Sequence, residues 1–306
     1  MRFKKHLWFL LAAAAPSMCS AATTGSHRLE PDDRSAPDKE LARVIRIEKD
    51  FAAASLSQGI KQSFLAYAAP DAVLFRPSPV AAVAALMNDP DDNDGLTLDW
   101  WPAMGAIAGS GDMALSVGPW VLDVPGATRQ RLYGYYATIW KKQPDGSWKF
   151  VIDGAGAKIA SEPAREKGGA VAKLPVSQAR RPVGSTGALD EVRALEGMVG
   201  RAAMRDARRA IGSRLASDAW VIGSSAEPDG APNGWRSEIM KRPKKLRFQY
   251  LKGDASSGAD FAYTYWLVES LDPSMPLHNA TYLHVWQRRK GEWRLIFQGI
   301  KHGASQ

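Results

Sequence analysis

ATIWKKQPDGSWKF, residues 137–150, is two strand-like runs joined by Pro144-Asp145-Gly146. Asp-Gly between alternating apolar residues is a strong signal for a tight hairpin. LHVWQRRKGEWRLIF, residues 283–297, repeats the phrase, with Trp286 and Trp293 answering to Trp140 and Trp148. Outward from these hairpins the match continues. Ile47-Glu48 answers to Leu195-Glu196, Asp71-Ala72 to Asp218-Ala219, Leu98 and Trp100 to Leu246 and Phe248, and Asp112 to Asp260. The offsets stay between 145 and 148 residues over the whole stretch. A drift that small marks a tandem duplication of one domain.

Length agrees: 306 residues exceed the roughly 150 of a typical domain, and the composition is that of a globular chain. Within each repeat, helices come first. Leu41, Val44, Ile45 and Phe51 recur at helical spacing until Gly59, and a shorter helix carries Ile60, Phe64 and Leu65. A strand over 71–77 follows, then a helix beginning near Pro79, then strands over 96–101, 112–121, 130–142 and 147–153. Helices segregated against an antiparallel meander make an α+β domain. In the last strand Trp148, Phe150 and Ile152 alternate with Lys149, Val151 and Asp153, which predicts that Asp153 lies on the face opposite Trp148.

MRFKKHLWFLLAAAAPSMCSAA, residues 1–22, has a basic start, a short apolar run and small residues after it, the pattern of a cleaved export signal. The predicted address is periplasmic or secreted. The single cysteine, Cys19, lies inside this leader after the bulky Met18, so the processed chain would carry no thiol. Residues 23–40 read as a flexible N-terminus, 41–155 as the first domain, 156–188 as a linker and 189–302 as the second domain. The formal charge of +8 gathers in the linker and the second half without forming a basic face interleaved with aromatics, so nucleic acid is not an expected partner. The stretch 241–247, KRPKKLR, reads as a solvated loop or a contact for an anionic surface. No cysteine and histidine spacing suits a metal, no glycine-rich loop suits a phosphate or cofactor, and there is no G-x-S-x-G nucleophile.

The first repeat resembles the nuclear transport factor 2-like (NTF2-like) superfamily, specifically its SnoaL-like and DUF4440-type members. The resemblance rests on Phe51, Gly59, SFLAYAAPDAVLFRP at 63–77, Leu98 with Trp100 and Pro102, SGDMALSVGPW at 110–120, GYYATIW at 134–140 and DGSWKFVIDG at 145–154. The second repeat lacks the FRP after its strand and carries Gln298 where the first has Asp153. The resemblance implies a curved sheet wrapped around N-terminal helices, a cone with a pocket at its open end. It also implies sheet-to-sheet dimerisation, within the chain or between two copies.

Enzymes of that superfamily use Asp, His and Tyr around an apolar pocket to move a proton beside a carbonyl. The histidines are at 6, 27, 278, 284 and 302, so the first repeat has none. The candidate acids there are Asp50, Asp71, Asp99, Asp112 and Asp153. Asp71 and Asp112 recur as Asp218 and Asp260 and read as turn or capping residues. The catalytic candidates are therefore Asp153 with Tyr136, and His284 in the second repeat. The ligand-contact candidates are Arg76, Trp100, Trp120, Tyr263 and Tyr265. Three functions stay open: a binder of a small apolar or amphipathic molecule, an isomerase, dehydratase or cyclase, and a structural module.

Overall fold

A computed structural model describes residues 35–90, 95–126, 130–177, 184–223, 228, 232–277 and 279–302. The export signal, Cys19 and the N-terminal tail to residue 34 lie outside the described residues.

Helix α1 (Ser35–Gln58) buries Leu41, Val44, Glu48, Phe51, Ala52 and Ser55, one stripe at helical spacing. Gly59, at φ 90°, breaks it from α2 (Ile60–Tyr67). The strands β1 (Ala68–Arg76), β2 (Ser78–Ala81), β3 (Thr97–Trp100), β4 (Met104–Ile107), β5 (Met113–Val124), β6 (Gln130–Lys142) and β7 (Trp148–Asp153) curl around α1, with α3 (Ala82–Asn88) inserted after β2. The helix expected from Pro79 thus begins three residues later, because Val73–Arg76 pairs with Ser78–Ala81 as a hairpin. The sheet order is β2-β1-β7-β6-β5-β4, with β3 also on β5 and β1 parallel to β7.

The second unit repeats this. Helix α4 (Gly184–Gly212) kinks at Asp206, and β10 (Leu215–Ile222), α5 (Trp235–Met240), β11 (Leu246–Ala255), β12 (Phe261–Ser270), β13 (Ala280–Arg289) and β14 (Glu292–Lys301) follow. Its order is β10-β14-β13-β12-β11, again with the first strand parallel to the last. The registers correspond: Leu74 faces Asp153, and Val221 faces Gln298. The chain is an α+β protein of two successive units, each with helices followed by a curved, largely antiparallel sheet.

The two hairpins differ only in the turn. Pro144, Asp145 and Gly146 make a three-residue loop, with Gly146 at φ 80° and the Gln143 N–H bonded to the Ser147 carbonyl at 2.7 Å. Lys290 and Gly291 (φ 52° and 87°) make a two-residue loop of the primed kind, which shortens the tryptophan spacing by one.

Residues 156–177, read as linker, lie along the first sheet. Lys158–Ile159 (β8) pairs with β6, and Ala172–Lys173 (β9) runs parallel to β4. The two units meet through a reciprocal pair of contacts. Asp112 Oδ2 accepts from the Ser257 N–H at 2.9 Å, and Asp260 Oδ2 accepts from the Gly109 N–H at 2.7 Å. Both aspartates occupy equivalent positions and so do their donors, so the contact obeys the two-fold logic of an isologous interface inside one chain. Phe75 packs on Tyr265 with ring centroids 5.4 Å apart, and Lys141 pairs with Asp254.

Candidate functional site

The inner wall of the first cone carries a one-residue irregularity that decides where its acid points. Along β6 and β7, Trp140 faces Phe150 but Ile139 faces Ile152, so Val151 is an extra residue, a β-bulge. A bulge reverses the alternation that follows it. Asp153 therefore turns inward, to the same side as Trp148 and Phe150, and not to the opposite face that uninterrupted alternation predicts. Thr138 donates its hydroxyl to Asp153 Oδ1 at 2.5 Å. The second unit keeps the bulge at Ile296, between the Val285–Phe297 and Trp286–Leu295 pairs.

Asp153 lies at one end of a cavity of about 380 Å³, within the range of small-molecule sites. The cavity also brings together Tyr136, Arg76, Trp100 and Trp120, and the apolar side chains of Phe51, Phe64, Leu74, Leu98 and Leu122 cover the rest. Trp120 can lie across the cavity wall because its cross-strand partner is Gly134. A Cβ there would sit 2.3 Å from the indole. Arg76 is half-exposed and pairs with Asp89 at the rim.

Two residues of this region were not singled out above. Glu48, fully buried on α1, accepts from the Trp100 indole at 2.8 Å and from the Trp140 indole at 2.7 Å. Burial pushes its carboxyl up to about 7, and the charge on Asp153 acts in the same direction, against the indole hydrogen bonds. The second is Lys301, the last residue of β14, which lines the first unit's cavity from the second unit. Burial raises the Asp153 carboxyl to about 6, opposed by its hydrogen bonds from Thr138 and the Gly154 N–H and by the charges of Lys301 and Arg76. Tyr136 is pushed well above its ordinary value by burial and by the charge of Glu48, so its hydroxyl keeps its proton. It sits 3.3 Å from the Ser116 hydroxyl.

The remaining candidates lie elsewhere. His284 is fully buried in the second unit, with Nδ1 2.7 Å from Glu196 Oε1 and Nε2 2.7 Å from the Gln298 amide nitrogen. An amide nitrogen donates, so Nε2 accepts and the ring proton sits on Nδ1, aimed at Glu196. Glu196 also receives Trp286 and Thr264, both at 2.8 Å. The second unit does have a cavity of about 360 Å³ near this end, lined by Arg242, Tyr282 and His302 but not by His284 or Gln298. Tyr263 and Tyr265 do not reach the first cavity. They alternate with the inward Thr264, and Tyr265 packs on Phe75 between the units. Among the described residues no cluster of three or more His, Asp, Glu or Cys side chains could hold a metal ion.

An α+β cone enclosing an apolar cavity with a buried carboxylate at one end is the architecture of this chain's first half. No known family profile and no curated protein matches the sequence. Solved structures do match. An NTF2-like protein of unknown function from Pseudomonas putida KT2440 is 18% identical, covering 40% of this chain and 91% of that one at a TM-score of 0.31. An NTF2-like superfamily protein from Salmonella enterica serovar Typhimurium is 13% identical, with 44% and 100% covered and a TM-score of 0.33. The association domain of CaMKII from C. elegans is 14% identical, with 40% and 96% covered and a TM-score of 0.30.

Proposed function

We propose that this is an exported protein of the SnoaL-like, DUF4440 type whose first cone, over residues 41–155, binds a small amphipathic molecule, with the second cone, over 189–302, as its support. The observation that carries this reading is the asymmetry of the first cavity. Aliphatic and aromatic side chains cover most of it, while Tyr136, Arg76 and Lys301 gather around Asp153. Such a surface matches a ligand with an apolar body and one polar head. The division of labour is supported by the second unit, where His284 and Gln298 are locked to Glu196 and to each other. Native mass spectrometry of protein purified from the periplasm tests the reading. A co-purifying small molecule that is lost from a Leu98→Trp variant supports it, and an unliganded protein whose melting temperature no amphiphile shifts counts against it.

A second reading rests on Asp153 and Tyr136 sharing that wall. A carboxylate with a pKa near 6 can take a proton, and a phenol that stays protonated can donate to the oxygen where charge develops. That pairing suits proton transfer next to a carbonyl. Deuterium uptake from heavy water into a cyclic enone, followed by NMR, would be catalysed by the native protein and abolished in Asp153→Asn. Equal uptake in both removes the enzyme reading.

A further inference from the structure

Lys301 belongs to the second unit by sequence and to the first unit's cavity by position. Two features carry it there. It ends β14, which pairs through Gly299 with Ile222 of β10 and with Leu283 of β13. Gly299 is also where β14 presses on the first unit, since a Cβ at that position would lie 2.2 Å from the Ala155 carbonyl oxygen. Only glycine permits that approach. The strand end is thus seated just past Asp153 and Gly154, and the Lys301 side chain enters beside Asp153 and Arg76.

The charges there are unevenly matched. Arg76 has Asp89 as its ion-pair partner. The Asp153 carboxylate already receives the Thr138 hydroxyl and the Gly154 N–H. Among the described residues no carboxylate lies within ion-pair distance of the Lys301 ammonium, and Asp153 acts on it only at longer range. Burial pushes its pKa down, so the charged form is held partly out of water. An ammonium in that position gains most from an anion brought in by the ligand. We propose that the second unit completes the binding site of the first through Lys301, and that the site selects an amphiphile with a monoanionic head, as in a fatty acid, over the same tail with a neutral or cationic head.

This inference rests on the ligand-binding reading above, and calorimetric titration with three probes of equal tail separates the two. Decanoate should bind about tenfold or more tightly than decanol, the scale of one charge-assisted hydrogen bond, and decyltrimethylammonium should bind worst. Lys301→Gln should bring decanoate close to decanol, and Lys301→Arg should keep most of the preference. Should Lys301→Gln fail to fold, Lys301→Met takes its place in the same titrations. Decanoate no tighter than decanol, a preference for the cation, or a preference that survives Lys301→Gln overturns the inference and leaves an apolar site standing. If neither decanol nor decanoate binds, the binding reading falls with it.

Discussion

Trp140 donates its indole N–H to Glu48 across 2.7 Å, and the two residues lie 92 positions apart in the chain. The second unit makes the same bond, Trp286 to Glu196 at 2.8 Å. The outer tryptophans behave alike: Trp148 donates to Glu40 at 3.0 Å and Trp293 to Glu191 at 2.9 Å. Each hairpin is therefore fastened to its long helix at two points, one buried and one near the surface.

Trp140→Phe should destabilise the protein by about 2–4 kcal/mol. It removes a donor from a buried carboxylate and shrinks a core side chain. Trp148→Phe, whose bond is partly exposed, should cost about 1 kcal/mol. Urea unfolding monitored by circular dichroism checks both. Equal losses would contradict the distinction between the two bonds.

Stability should fall as pH rises from about 5 to about 8. Glu48 and Asp153 have folded pKa values of about 7 and about 6, above those of the unfolded chain. The folded state thus holds more protons than the unfolded one through that window, and that advantage is lost as pH passes the folded values. Glu48→Gln should flatten the profile. It should also be less stable at pH 5, because an amide nitrogen cannot accept from an indole while the hydroxyl oxygen of a protonated acid can. Denaturation midpoints at pH 5, 6.5 and 8 decide it, and a profile equally steep in Glu48→Gln contradicts the assignment.

His284→Ala should lower stability by about 2–4 kcal/mol, since it leaves Glu196 and Gln298 buried with fewer partners. It should leave ligand binding in the first cavity unchanged. Thermal melting alongside calorimetric titration of the same sample tests this. Loss of binding without loss of stability would place His284 in a site after all.

Much of the fold was legible in the sequence, and less of the site. The hairpin turns and the constant offsets define two α+β units because turn chemistry and repetition are local signals. Glu48 was missed although its signal was there: it falls on the stripe of Leu41, Val44, Ile45 and Phe51, where an acid must be buried, and it recurs as Glu196. The face of Asp153 was not legible, since the bulge at Val151 inserts an ordinary residue with no glycine or proline to mark it. The surroundings of Tyr263 and Tyr265 were not legible either, because both faces of β12 are buried, one on α4 and one against the first unit, and alternation cannot tell which is which. Lys301 acquires its place only when the units meet.

The central claim is that the first cavity holds a ligand by its polar end. A crystal structure of the protein with decanoate tests it most directly. The account predicts density for the tail among Phe64, Leu98 and Trp120, with the carboxylate beside Lys301 and Arg76. A cavity that stays free of ligand at saturating decanoate, or a ligand bound only at another surface, would contradict it.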